Sequence, residues 1–300
     1  MKRIVSVSLG SSKRDHRVET QFFGEEVTIE RIGTDGSYQK VLSLLKSMDG
    51  KVDVFGMGGI DLYLFAGQKR YQIKDAVHIA QAPKITPIVD GSGLKNTLER
   101  RVIGYLKNDL KLELKGKKVL MVAGVDRYGM AEAFTEAGCQ MTFGDFMFGL
   151  GLPIPLNSLS SLRRVARTLL PVIVRLPYTF LYPTGSKQDQ ITPKYARYYE
   201  NSDIIAGDFL FIKKYMPLKL DGKIIVTNTV TAADVEELRQ RGVQTLVTST
   251  PEFSGRSFGT NVMEALLVSF SGKKPSELQT GDYLQLLDQL KFQPRVVTLN

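Results

Sequence analysis

Cysteine, histidine and long apolar runs are all scarce in this chain. One cysteine (Cys139) in 300 residues excludes a disulfide framework. With only His16 and His78 beside it, a structural zinc site of the usual Cys/His kind is excluded too. Neither histidine has a partner at useful spacing, and both read as loop or packing residues. No stretch of about 18 uninterrupted apolar residues occurs, so nothing reads as a membrane-spanning helix. The opening MKRIVSVSLGSS has a basic start, but its short apolar run alternates with serine and reads as a first strand rather than a signal peptide. A cytoplasmic protein is the expectation.

What is present is ordinary for a globular chain: 43% hydrophobic and 24% charged residues, with enough length for two domains. The formal net charge is +9 and is unevenly spread. Residues 1–90 and 91–151 each carry an excess of +2, residues 152–200 carry +5, and residues 201–300 are balanced. A protein that coats nucleic acid carries a broader basic stripe, so no specific nucleic-acid partner is expected.

Short β-rich runs alternate with helical patterns. Strands are predicted at Arg3 to Leu9, Glu26 to Ile32, Asp53 to Met57, Lys117 to Ala123, Gln140 to Phe143, Asp203 to Ala206, Lys223 to Thr227 and Gln244 to Thr248. Helices are predicted at about Ser37 to Ser47, Gly93 to Asn108, Met130 to Glu136, Ala232 to Arg241 and Asn261 to Ser271. Such alternation predicts an α/β protein with a doubly wound parallel sheet.

The best-organised segment is Lys117 to Asp145, KKVLMVAGVDRYGMAEAFTEAGCQMTFGD. A continuous apolar strand, of the kind covered on both faces, runs into Gly124-Val125-Asp126-Arg127-Tyr128-Gly129, then a helix, then a strand ending in Asp145. That acid lies 21 residues beyond Gly124, the spacing at which a carboxylate reads an adenosine ribose, and it favours NAD over NADP. Gly124 suits the tight turn and Gly129 close packing of helix on strand, while the helix N-terminus suits a pyrophosphate. Asp126 stands where the pattern has its middle glycine; Arg127 offsets its charge but not its bulk. The competing reading is a plain strand–turn–helix corner capped by Asp126.

These residues, with others in the same order, resemble the shikimate/quinate dehydrogenase family. The likeness is carried by Val89-Asp90-Gly91-Ser92-Gly93-Leu94, Leu114-Lys115-Gly116-Lys117-Lys118-Val119-Leu120, Asp203-Ile204-Ile205-Ala206-Gly207 and GTNVMEALLVSFSG from Gly259 to Gly272. It covers residues 80–150 and 200–272. The resemblance implies an NAD(P)-dependent oxidoreductase in which a lysine and an aspartate flank the reacting hydroxyl of a small carboxylate substrate. Asp90 matches the aspartate. The family's lysine motif has no counterpart, and Lys69 and Lys74 are the nearest candidates. Ser11, Ser12 and Lys13 match its carboxylate-holding serine pair loosely, and Asn96 lies one turn into the following helix. A lysine paired with an aspartate would relay the alcohol proton while hydride passes to nicotinamide. For Lys69 and Lys74 the alternative is a solvated surface lysine, and for Asp90 a turn residue that caps the next helix.

Two other loops suit binding. Thr227-Asn228-Thr229 follows a buried strand at the end where ligands of open α/β sheets sit. Arg256, in SGRSFGTN from Ser254 to Asn261, can fork onto a carboxylate or phosphate; the alternative is an ordinary glycine turn with Thr260 capping the next helix. Residues 152–188 carry Arg163, Arg164, Arg167, Arg175 and Lys187 with no acid. Leu159, Leu162, Val165, Ala166, Leu169 and Leu170 share one helical face there, and Pro171 bends or ends the helix. Three readings of this insert stay open: a lid or homodimer element, a source of arginines for a cofactor phosphate, and an interfacial membrane helix over residues 158–182.

The expected organisation is a substrate-binding α/β domain at 1–102, a Rossmann-like domain at 103–250 carrying the insert, and C-terminal helices at 251–300 returning to the first domain. An NAD(P)-dependent dehydrogenase is the first expectation. A non-catalytic or regulatory protein binding a nucleotide or acidic metabolite on the same fold is the alternative.

Overall fold

The structure is a computed structural model, and it describes residues 1–67, 69–181, 190–253 and 256–300. Its first sheet comprises β1 (Lys2–Ser8), β2 (His16–Phe22), β3 (Glu25–Gly33), β4 (Val54–Gly58) and, beyond a small hairpin, β7 (Ile88–Val89). That hairpin is β5 (Tyr63–Ala66) and β6 (Lys69–Gln72). The sheet order is β2-β3-β1-β4-β7, parallel except for the β2–β3 pair. Strand β2 escapes sequence reading because HRVETQF puts charges on its open face and leaves only a weak alternation. Along β1 the two-residue period sends Ile4 into one core and Val5 and Val7 into another, so both faces are covered. Helices α1 (Tyr38–Met48) and α2 (Lys74–Ala80) complete this lobe on the Val5 side through Val41, Leu45 and Ile79.

Helix α3 (Ser92–Asn108) leaves the first lobe and enters the second. Its first turns bury Leu94 and Leu98 in the core of the first lobe, and its later turns bury Val102, Ile103 and Leu106 in that of the second. It starts at Gly91, whose φ of 95° suits glycine and whose added Cβ would lie 2.8 Å from the Asn261 backbone nitrogen.

The second lobe follows the expected α/β plan. Its parallel strands are β8 (Lys118–Met121), β9 (Gln140–Phe143), β10 (Ile204–Ala206), β11 (Ile224–Thr227) and β12 (Thr245–Thr248), in the order β12-β11-β10-β8-β9. Numbered within the lobe this is 2-1-3-4-5, the doubly wound order whose switch point lies between its first and third strands, here β8 and β10. Residues alternate between two cores: Val119, Met121 and Ala206 on one face, Leu120, Ile205 and Ile225 on the other. Helices α4 (Tyr128–Glu136), α5 (Leu159–Ile173), α6 (Tyr178–Leu181), α7 (Ala196–Glu200), α8 (Phe209–Tyr215) and α9 (Ala232–Gln240) connect these strands.

After the small hairpin of β13 (Glu252–Phe253) and β14 (Arg256–Ser257), α10 (Thr260–Ser271) and α11 (Thr280–Gln289) pack into the core of the first lobe. The chain then departs from the expected ending. Strand β15 (Arg295–Thr298) crosses back and pairs antiparallel with β12.

The insert is a strap between the lobes. Leu162 of α5 is buried in the core of the second lobe, and Val174, just past the helix, in that of the first. Tyr178 stacks on Tyr38 at 5.8 Å, and its hydroxyl donates to the Gly36 carbonyl. Leu162, Ala166 and Leu170 on the apolar face of α5 are buried inside the protein, so the interfacial membrane reading of residues 158–182 gains no support from this helix. Pro171 does not end the helix, which runs on to Ile173. Lys187 lies outside the described residues. Among the described residues no helix is long and apolar enough to cross a membrane.

Candidate functional site

Both sheets present the carboxyl ends of their central strands to one cleft between the lobes. In open α/β sheets this is where ligands bind, because the chain diverges on either side of the switch point and leaves a crevice. The cavity there is about 160 Å³. The first lobe lines it with Ser6 and Ser8 of β1 and with Gly58, Gly59, Ile60 and Asp61 beyond β4; the second contributes Asp126, Arg127, Asp208 and Asn228. Gly59, at φ +75°, has no room for a Cβ, which would sit 2.9 Å from the Gly10 nitrogen. This tight turn delivers Asp61 to the cleft.

The floor is a buried ion-pair network. Lys95, on the interior face of α3, lies 2.9 Å from Asp126 and 3.4 Å from Asp61. Arg127 holds Glu99 at 2.9 Å and Asp208 at 2.9 Å. Asn228 donates to Asp208 at 2.8 Å and accepts from the Phe209 backbone N–H. Burial raises the Asp61 carboxyl well above its ordinary range; Lys95 opposes this, and the neighbouring Asp126 carboxylate adds to it. Burial would raise Asp126 as well, but Lys95 and Arg127 overrule it and hold this acid below the ordinary range. The hydrogen bond between the two acids acts in the same sense, raising Asp61 and lowering Asp126. Burial likewise raises Glu99, against Arg127 and Lys95. The result is a set of carboxyl groups pushed in opposite directions, with Arg14, Arg31, Lys95 and Arg127 around the same space.

The expected site residues divide. Asp90 lines the cleft, but its carboxylate accepts from the Leu62 N–H at 2.6 Å and from the Ser92 N–H and hydroxyl, so it acts as the turn cap. Lys69 and Lys74 are exposed and stand outside the cleft lining; Lys69 lies over the Tyr71 ring. The lysine that does line the cleft is Lys95. Ser11, Ser12 and Lys13 also fall outside the lining: the Ser11 hydroxyl accepts from Lys13, the Ser12 N–H donates to Asp35, and the adjacent Ser8 and Arg14 face the cleft instead. Thr227 turns its hydroxyl to the Gly207 carbonyl, while Asn228 and Thr229 line the cleft. Asn96 faces a neighbouring pocket. The Arg256 side chain lies outside the described structure.

The glycine turn differs most from expectation. Asp145 Oδ2 accepts from the Gly124 N–H at 3.1 Å and Oδ1 from the Val125 N–H at 2.9 Å. The carboxylate proposed to read a ribose instead occupies the amide groups that would cradle a pyrophosphate. Burial lifts it to about 6 even against these bonds. A Cβ on Gly124 would meet Leu162 and Phe143, both at 2.8 Å, so the strap fills the turn from outside. Gly129 serves α4 packing on α3, with Asn96 Cα 2.9 Å from its added Cβ, rather than on a strand. Asp126 and Arg127, expected at a cofactor phosphate, are engaged with Lys95, Glu99 and Asp208.

Sequence reading missed Lys95, Asp61, Glu99 and Asp208. A signal existed for two of them: Lys95 and Glu99 are four apart on the stripe that carries Leu98 and Val102, and charges on an apolar stripe demand partners.

No curated protein matches the sequence. Among solved structures, a galactofuranose binding protein is 13% identical, covering 97% of this chain and 99% of its own, with a TM-score of 0.38. The NAD-dependent malic enzyme of Thermotoga maritima is 13% identical over 97% of this chain and 84% of its own, at a TM-score of 0.33. The L-tryptophan dehydrogenase of Nostoc punctiforme is 12% identical over 96% and 80%, at 0.35. Residues 3–90 match the domain of unknown function DUF8753, and residues 93–299 match the domain of unknown function DUF8754. The two matches meet where α3 leaves the first lobe, and the chain belongs to the DUF8754 family, with a DUF8753 domain ahead of it.

Proposed function

We propose that the protein binds a small, uncharged, hydroxyl-rich metabolite in the cleft between its lobes. The observation that carries this reading is the internally paired set Asp61, Lys95, Asp126, Arg127, Asp208 and Asn228. A hydroxyl both donates and accepts, so it can donate to Asp126 or Asp208 while accepting from Lys95 or Asn228, the bonds to the carboxylates and to Lys95 being charge-assisted. Asp61, Asp90, Asp126 and Asp208 balance Arg14, Arg31, Lys95 and Arg127 on the cleft lining, so no excess of positive charge favours a phosphate. The cavity of about 160 Å³ falls below the ~300–1,000 Å³ of drug-sized pockets, which suits a ligand far smaller than a dinucleotide. Phe209 and Phe211 supply an apolar wall. Calorimetry against a panel of monosaccharides and polyols tests this. Binding by at least one of them, weakened about tenfold or more in Asp126→Asn, is the expected result. Binding of NADH with no response to any polyol overturns it.

A second reading, an oxidoreductase of quinate/shikimate dehydrogenase type, is favoured by one contact. Lys95 touches both Asp61 and Asp126, an arrangement able to pass a hydroxyl proton. A bound nicotinamide would supply the hydride chemistry. NAD(P)H formation with quinate or shikimate, abolished in Lys95→Ala, supports this reading; absence of NAD(H) and NADP(H) binding ends it.

A further inference from the structure

A second cavity of about 510 Å³ lies behind the wall of the cleft. Lys95 and Arg127 face the cleft, while their neighbours Asn96 and Tyr128 face this pocket, so α3 and the start of α4 separate the two. The pocket is further lined by Phe65, Gly67, Arg100, Glu132, Arg163 and Arg167. Its volume is in the ordinary range for small-molecule sites.

Three arginines meet one acid here. Glu132 is shared between Arg100 and Arg163, and Arg163 also donates through Nε to the Tyr128 hydroxyl at 2.8 Å. Gly67 leaves room for this: a Cβ there would lie 3.3 Å from Arg163 Nε. Arg167, one turn further along α5, makes no side-chain hydrogen bond or ion pair with any described residue, and neither does the Asn96 amide. A concave surface with an excess of two positive charges and two uncommitted polar groups concentrates anions, because its walls focus the field.

We propose that this pocket is a second ligand site, one that holds a cluster of anionic oxygens, from a phosphorylated or a polycarboxylate metabolite, on Arg167 and Arg163. The guanidinium fork matches either group in two-point geometry, and the Asn96 amide supplies a further donor. The Phe65 and Tyr128 rings give the uncharged part of the ligand an apolar wall. The site is independent of what the cleft binds. Arginines brought by the insert would serve an anion here, away from the glycine turn.

Calorimetric titration of the full chain with pyrophosphate and with citrate, at matched ionic strength, tests this. Arg167→Gln removes a side chain that makes no hydrogen bond or ion pair with a described residue, so the fold is kept, and it is expected to weaken binding about tenfold or more. Arg164→Gln removes the same charge from the same helix outside the pocket and is expected to change affinity by about twofold at most. Response to pyrophosphate alone assigns a phosphorylated ligand, response to citrate alone a polycarboxylate, and response to both the shared anion chemistry. Failure of both anions to bind overturns the proposal. Equal weakening by Arg164→Gln and Arg167→Gln also overturns it, since the attraction would then be the general charge of α5.

Discussion

Arg127 shows how much one residue can hold. Its buried guanidinium bridges Glu99 on α3 and Asp208 beyond β10, and it stands 3.1 Å from Asp126. Replacing it strands two or three carboxylates in a nearly dry space. Arg127→Met is expected to cost about 3–5 kcal/mol, the usual loss when one partner of a buried pair is removed. Urea denaturation measures it, and a loss below about 1 kcal/mol would mean that water reaches the network. Glu264 makes the opposite kind of statement. Burial, reinforced by Asp90, raises its carboxyl from 4.5 to about 8, although the Tyr283 hydroxyl donates to it at 2.7 Å. A raised acid binds its proton more tightly in the folded state. Its stabilisation is therefore complete below 4.5 and lost as pH climbs through 8. Glu264→Gln is expected to flatten the stability profile across that window and to leave the variant more stable than the parent above it. Thermal unfolding from pH 5 to 9 checks this, and an unchanged slope would remove Glu264 as its source.

Among the elements, α3 and α5 join the lobes, and they differ in how far their roles can be read from sequence. The apolar stripe of α3 was legible, and so was its length to within a residue or two. Which turns belong to which lobe was not, because Leu94 and Val102 look alike until their separate cores exist. For α5 the amphipathic face was legible but its partner was not. The same leucines and arginines suit a lid or dimer element, a phosphate contact or a lipid surface, and only the tertiary structure shows that the helix packs against Ala66 and the second core. Leu162 is fully buried beside the glycine turn. Leu162→Ala is expected to cost about 2–5 kcal/mol, with the spread set by how far Phe143 and Asp145 can collapse into the space. Chemical denaturation tests it; a loss below about 1 kcal/mol would show α5 to be loosely attached.

At the scale of the whole molecule, the lobes are tied together repeatedly. The chain passes between them along α3, out and back through the strap, into α10, and again before β15. Helix α3, the strap and the C-terminal segment each bury apolar side chains in the cores of both lobes, which couples the two. One cooperative calorimetric transition is expected, coincident with loss of helical signal, whereas two resolved transitions would show independent lobes. The sequence alone determined the α/β class, most of the strands and the glycine turn at Gly124, since these rest on periodicity and on residues adjacent in the chain. Only the tertiary structure decided the site. Asp61, Lys95, Asp126 and Asp208 come from four separate segments, and Asp145 folds back over 20 residues onto the turn it was expected to leave open. Burial and pairing set the charge state and the use of each of these groups, and both arise only when distant segments meet.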